Sequence, residues 1–475
     1  MSLSDDEKET IKGLQRKLEN VIPRNSEKAW YYDGEKRMRD LGISIPERLQ
    51  GLEVAVGWPA TATDVLEERL NLESFGAPEA LGLQDDFLLN NLDSESSLGH
   101  IDALVSGLGF IMVGRGDPSV GEPEQLITVE SPNRMTATYN ARTRRLDDAM
   151  AVNYDDNGRI TSGTLCLPYA NIPFVRKGNG QFYEQDRDQH NFGRVTVARL
   201  VNRPRSSQNR GRSEITRPLR YYTQAGMRTL LGAEVAREFY NAPQRYVIGA
   251  PDGTFTDAQG KSIDGWKAVM GRLMDIPLNE DVQKGVDTQA VLPTVGQFPA
   301  SSPAPYFDQL RGYAQMVAAE AGIPAPYLGF VSDNPSSADA IRAAEARLVT
   351  RAERRQLQFG RAWAEVGRLV LLFRDGQIPR EAMMMRPAWR NAATPTQAAT
   401  ADAGTKIIAS GVVPADTSVA QDLVGLTERQ KIALAEELRR RRASSMAQGM
   451  GVAAQAALQD PTVRALVANR GAITA

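Results

Sequence analysis

The sequence has 475 residues, 42% apolar and 24% charged, with a formal net charge of −2. That composition suits a folded chain of several domains and excludes a dominant basic nucleic-acid-binding or acidic-tail character. One cysteine, Cys166, excludes a disulfide framework within the chain, and with only two histidines a Cys/His metal site is nearly excluded as well. The N-terminal MSLSDDEKETIKGLQ is acidic and polar, unlike a signal peptide. Apolar runs such as Leu369–Phe373 fall far short of the ~20 residues a bilayer requires, so the expectation is a soluble intracellular product.

In chain order, residues 4–20 read as an amphipathic helix with Ile11, Leu14 and Leu18 on one side, and 31–49 as a connector. TATDVLEERLNL (61–72) predicts a helix, and Leu81–Gly107 a second one interrupted by Asp, Asn and Ser. From Gly109 the period changes from about 3.6 to 2. FIMVG, QLITVESP, MTATYNA, RLDDAMAVNY, RITSGTLCLP, IPFVRKGNGQFYEQ and RVTVARLVNRP are β-type runs separated by Gly, Pro, Asn and Asp. YDDNGR (154–159) and KGNGQ (177–181) supply hairpin turns, because Asn and Gly tolerate positive φ. Residues 1 to about 210 therefore predict an α+β domain with an antiparallel sheet.

Residues 203–220 (RPRSSQNRGRSEITRPLR) carry six arginines against one glutamate. In isolation that is a solvated loop, but here it leads into a helix over Ile215–Asn241. A small β-α-β unit follows: a strand at 244–250, a helix at Ile263–Leu273 and a strand at Ala290–Phe298. It has too little apolar material to stand as a separate core, so copies of itself are its simplest support. A helix at Tyr306–Ile323 comes next, then a roughly twelve-residue connection, APYLGFVSDNPSS, of the length that tends to be functional.

The longest helix signal is Ser336–Arg374, with Ile341, Leu348, Ala352, Phe359, Trp363, Val366, Val370 and Phe373 stepping by three, four or seven. At about 1.5 Å per residue this is a rod on the order of 55 Å long. Its spacing drifts from a sustained heptad, which argues against a coiled coil. Beyond it, Arg386–Pro395 reads as irregular, Thr394–Gly411 as a helix, Val412–Val424 as a loop with a short helix, and Leu426–Gln448 as another helix. The last twenty-five residues are Ala/Gly/Gln-rich, a weak helix or a disordered tail.

No motif carries catalytic chemistry. GTFTDAQGKS (253–262) ends like a phosphate-binding loop, but its glycines are spaced wrongly and no helix starts on Lys261. The Asp155–Gly158 cluster lacks the alternation and downstream glutamate of a calcium loop. His100 and His190 have no catalytic partner pattern. The expectation is no enzyme, no cofactor and no metal.

Four stretches, taken in order and at these intervals, resemble the portal proteins of tailed bacteriophages. They are VARLVNRPR with GRSEI (197–215), EFYNAPQRYVIGA (238–250), AEAGIPAPYLGFVSDNPSSADAIRAAEARL (319–348) and WRNAATPTQAATADAGTKI (389–407). The resemblance covers most of the chain. It implies a multi-region α+β fold: an α+β wing over 1–214, a stem helix over 215–242, a small β-α-β clip over 243–305 and a second stem helix over 306–324. A tunnel loop over 325–336, a long wing helix over 337–375 and a helical crown with C-terminal tail over 376–475 complete it.

It also implies a ring, usually of twelve identical subunits, at one capsid vertex of the virion, through which double-stranded DNA is packaged and ejected. The implied partners are other copies of the chain, the DNA, a terminase, a head-tail adaptor and the major capsid or scaffolding protein, with no membrane. By the same resemblance Leu328, Gly329, Phe330, Val331, Ser332, Asp333, Asn334 and Pro335 face the DNA. Arg203, Arg205, Arg210, Arg212, Tyr246 and Trp266 are expected at subunit contacts or in the clip. A terminase-type packaging ATPase or nuclease and a rod-like scaffold protein are the alternatives. The first lacks a phosphate-binding lysine in context and an acidic metal cluster, and the second conflicts with the β-rich first 210 residues.

Overall fold

The computed structural model describes residues 3–36, 53–178, 180–241, 245–248, 294–297, 302–329, 338–393 and 397–459. The first element, α1 (Asp5–Tyr32), starts at a capping box: Ser4 Oγ accepts from the Glu7 amide at 3.3 Å and Glu7 Oε2 from the Ser4 amide at 2.8 Å. The helix runs twelve residues past its expected end, through Pro23. A mid-helix proline normally breaks such a run. Here the later turns are held from outside, with Tyr31 buried beside Val105 and Ile215 and the Tyr32 hydroxyl donating to Asp64 at 2.7 Å.

After α2 (Trp58–Glu67) and the short β1 (Leu72–Ser74), the expected interrupted helix is two, α3 (Leu83–Leu89) and α4 (Leu92–Ser106). Asn91 sits between them with a left-handed φ of 50°, a conformation asparagine tolerates better than most residues. The strands follow the sequence reading closely: β2 (Leu108–Arg115), β3 (Gln125–Glu130), β4 (Met135–Asn140), β5 (Arg145–Tyr154), β6 (Ile160–Cys166), β7 (Asn171–Arg176), β8 (Phe182–Glu184) and β9 (Val197–Val201).

They form two antiparallel sheets, a three-stranded one in the order β3-β2-β9 and a five-stranded meander β4-β5-β6-β7-β8. The meander is buried on both faces, and the period of two sorts its residues. Met150, Val152, Leu165 and Ile172 pack under Ile11, Leu14 and Leu18 of α1, while Ala149 and Cys166 turn the other way onto Phe110 and Val197 of the smaller sheet. The fold is α+β.

Beyond the sheets come α5 (Arg217–Asn241), β10 (Arg245–Ile248), β11 (Thr294–Gln297), α6 (Ala304–Ala321) and α7 (Ala338–Asp375). Strands β10 and β11 pair antiparallel with each other, Tyr246 opposite Gly296. The rest of the expected β-α-β unit, including the helix at 263–273 and Trp266, lies outside the described residues.

The largest core gathers α2, α4, the three-stranded sheet, α5, α6 and α7. On α7, Leu348, Ala352, Phe359, Trp363, Val366 and Val370 are fully buried, as the spacing requires. Trp363 Nε1 donates to His100 Nε2 at 2.9 Å, and the imidazole stacks on Phe359. Burial pushes His100 down to about 3, so it is neutral and structural. Ile341 corrects the expected stripe: it is 50% exposed, because α7 projects beyond its packing partners before Leu348.

A short helix α8 (Arg380–Met383) and β12 (Ala388–Trp389) follow, and β12 pairs with β1 where an irregular segment was expected. A second compact unit spans 393–475 and contains α9 (Gln397–Ala409), α10 (Ser418–Val424) and α11 (Glu428–Gln459). Within it α9 and α10 pack closely because Gly404 lets the Leu423 carbonyl approach: a Cβ there would lie 2.4 Å from that oxygen.

Candidate functional site: the ion-paired junction around residues 330–337

Residues 330–337, which contain most of the expected loop, lie outside the described residues, but the chain on both sides of them is fixed in detail. Helix α6 ends at Gly322 with a left-handed φ of 65°, a conformation that suits glycine at a helix C-terminus. A Cβ on Gly322 would meet Arg347 Nε at 2.9 Å and Arg351 Nη1 at 3.0 Å, so the glycine also admits two α7 guanidiniums to the helix end. Arg347 Nη1 donates to the Ala319 carbonyl at 2.9 Å, placing a cation where the helix dipole favours one. The start of α5 is tied to the same place, with Thr216 Oγ1 donating to Glu320 at 2.8 Å.

Pro324 then leads into one 3-10 turn, Ala325–Leu328, closed by Gly329 at φ 86°. Leu328 is buried in the main core, whereas Gly329 is exposed. The Tyr327 hydroxyl donates to Glu345 Oε1, and Arg69 Nη2 reaches that same oxygen at 3.3 Å and the Tyr327 hydroxyl at 3.5 Å. Arg69 is itself buried and anchored through Nη1 to the Ala392 carbonyl at 2.7 Å. Burial, then the hydrogen bond to the Glu345 carboxylate, hold the Tyr327 hydroxyl above its usual pKa. A residue before the loop is thus bonded directly to one after it.

Beneath this clamp lies a buried carboxylate, Glu214, the single acid of the arginine-rich stretch. Arg355 Nη2 meets its Oε1 at 2.5 Å and Arg351 Nη2 its Oε2 at 2.6 Å; Arg203 Nη1 lies 3.3 Å from Oε2. Asn202 Nδ2 adds a fourth donor at 3.1 Å, and its Oδ1 accepts from Arg355 Nε at 3.1 Å. Burial pushes the Glu214 carboxyl up, but Arg355 and Arg351 outweigh it and hold the pKa below the usual carboxylate value. The cluster joins the end of β9, the entry to α5 and the middle of α7.

Of the expected contact residues, Arg203 is thus turned into its own chain. Arg205, Arg210 and Arg212 are exposed, Arg205 bonding only Gln208 at 3.1 Å. Tyr246 sits in β10, and Trp266 and 330–335 fall outside the described residues. Glu214, Asn202, Arg69, Glu345, Arg351 and Arg355 were not foreseen. One signal was available: Arg347, Arg351 and Arg355 recur every four residues on one stripe of α7, a cationic line for which a facing carboxylate or helix C-terminus is a natural partner. Among the described residues no group of His, Cys, Asp or Glu side chains could hold a metal ion, and no helix is long and apolar enough to cross a membrane.

A family model described as phage portal protein, SPP1 Gp6-like, matches residues 12–444. The portal protein of Mycobacterium phage L5 is 34% identical over 447 residues, 91% of this chain and 88% of that one. That of Mycobacterium phage D29 is 35% identical over 447 residues, with the same shares of the two chains. A chain from the neck of a native gene transfer agent particle aligns at 12% identity and a TM-score of 0.38, over 81% of this chain and 95% of that one.

Proposed function

The chain belongs to the SPP1 Gp6-like family of phage portal proteins, and from that premise we propose that it forms a ring at one capsid vertex through which double-stranded DNA passes. It is a portal protein and not an enzyme. The ring has twelve copies, as the family resemblance implies, and sits in the virion, contacting the major capsid or scaffolding protein. It docks a terminase during packaging and a head-tail adaptor afterwards. The wing is 1–214 with the long helix 337–375, the stem is formed by 215–242 and 306–324, the clip by 243–305, and the crown by the region after 375. The observation that carries this reading is the match to curated portal proteins over nine-tenths of the chain.

The junction geometry supports the loop assignment. Tyr327, just before the segment, and Glu345, on α7 after it, are clamped together with Arg69, so the two flanking helices are tied to each other where the proposed loop begins and ends. Leu328 belongs to the core and not to the DNA-facing part. A conduit must also hold DNA weakly, since each phosphate neutralised adds salt-dependent affinity. Several arginines of the flanking helices meet that requirement by being used internally. Arg351 and Arg355 are spent on Glu214, Arg347 on the end of α6, and Arg220 on Glu27 at 2.7 Å.

The test is to replace Phe330–Asn334 with a Gly/Ser linker and measure ring assembly together with DNA packaged per particle. Intact rings with reduced packaging or retention are expected. Loss of the rings themselves would mean that the loop seals subunits instead of meeting DNA.

A further inference from the structure

A cleft of about 750 Å³ opens beside the edge strand β9, between the tip of the β4–β5 hairpin, the loop after β9 and the middle of α7. Seven arginines line it, against a single carboxylate, Glu365. That carboxylate is already shared, by Arg194 at 3.1 Å and Arg368 at 3.0 Å. Arg199 is committed as well, lying over the Tyr139 ring 3.3 Å from its centroid. Arg144, Arg145 and Arg361 are exposed and have no acidic partner among the described residues. Arg144 is held at φ 58°, a left-handed turn position that normally suits glycine or asparagine. Crowded like charges repel, so the cleft is most stable with an anionic occupant. Leu146, Val195, Val197 and Ala198 also line it. Arginines interleaved with apolar side chains are typical of protein interfaces and suit an acidic protein surface that also carries apolar side chains.

This chain presents such a surface at the other edge of the same sheet, whose order is β3-β2-β9. There Asn90, at the end of α3, binds β3 by donating to the Gln125 carbonyl at 2.9 Å and accepting from the Ile127 amide at 2.8 Å. Leu88 and Leu89 beside it are 44% and 64% exposed. Asp85 and Glu124 flank them, exposed and without a cationic partner among the described residues.

We propose that this acidic, leucine-bearing corner of one subunit docks into the arginine cleft of the next. Two different, complementary patches on opposite edges of one sheet give a head-to-tail contact, the kind that closes a ring. The inference rests on the ring reading and deepens it by naming one of its interfaces.

The test uses the full chain, with ring content followed by native mass spectrometry over a dilution and salt series. Reversing the cleft (Arg144→Glu with Arg361→Glu) or the corner (Asp85→Arg with Glu124→Arg) is expected to raise the concentration at which rings dissociate about tenfold or more. Combining both reversals in one chain should recover most of that loss. The variant Arg144→Gly with Arg361→Gln guards against misfolding. It relieves the left-handed backbone and keeps the melting temperature of the subunit, yet should still weaken the ring and flatten its salt dependence.

Rings of wild-type stability in every variant would overturn the docking alone, as would a combined variant no better than its parents. Unchanged rings with weakened binding of a short DNA duplex would also overturn it and assign the cleft to nucleic acid. A wild-type chain that forms no ring would instead bring down the ring reading on which the docking depends.

Discussion

Glu214→Gln is the sharpest perturbation of the junction. The substitution keeps the shape and removes the one negative charge that faces three guanidiniums at 2.5–3.3 Å. Arg355 and Arg351 carry the effect, with side chains only 6% and 15% exposed. Arg203, at 36%, is screened by solvent and contributes little. Leaving buried charges uncompensated costs about 3–5 kcal/mol. At roughly 2–4 °C per kcal/mol, the scale of a 150–250-residue domain, the melting temperature should fall by roughly 6–20 °C.

The pH dependence supplies a second reading. The folded pKa of Glu214 is depressed below the ordinary glutamate value of 4.5, so its stabilisation is complete above that pH. It is lost as pH falls through the depressed folded value, and the variant should show a shallower decline over this acid range. Calorimetry of wild type, Glu214→Gln and Arg203→Ala side by side provides the assay, with Arg203→Ala expected to cost less than about 1 kcal/mol. A Glu214→Gln melting temperature within about 2 °C of wild type would refute the reasoning, because 3 kcal/mol should not fit within so small a shift.

Other outcomes follow from the same packing. Trp363→Ala should cost about 3–5 kcal/mol, since Trp363 is fully buried and holds His100; an unchanged melting temperature would contradict that burial. Cys166 is buried with its thiol pushed up to about 12, so it should resist alkylation at neutral pH until the chain unfolds. Labelling of the native protein at the rate of a free thiol would show the two sheets to be separable. Gly322→Ala should weaken the junction, because the added methyl requires a left-handed residue and displaces the Arg347 and Arg351 side chains, and thermal unfolding reads the loss.

Much of this architecture was legible because the signals are local. Period-two alternation and Asn/Gly turns located β2 to β9, and the α7 stripe named Phe359, Trp363, Val366 and Val370 as core before any fold was known. What escaped depends on distant partners. The first helix was expected to end near residue 20, and the packing of Tyr31 and Tyr32 against α2, α4 and the entry to α5 holds α1 beyond that point, through Pro23. Asn91 separates two helices because Asn90 is needed by β3. Ile341 has the spacing of a core residue but no neighbour to pack on within the described chain. Glu214 looked incidental among arginines, since its counter-charges Arg351 and Arg355 arrive from 137 and 141 residues away. Periodicity reports which face of an element is apolar; it does not report which acid will meet which base.

The central claim, a closed ring with a central channel, is tested most directly by electron microscopy of the purified full chain. End-on views should show one closed ring with a central opening, from a particle many times the 52.0 kDa of a single chain. Monomers or dimers, or open helical filaments, at concentrations where portal rings form would contradict it.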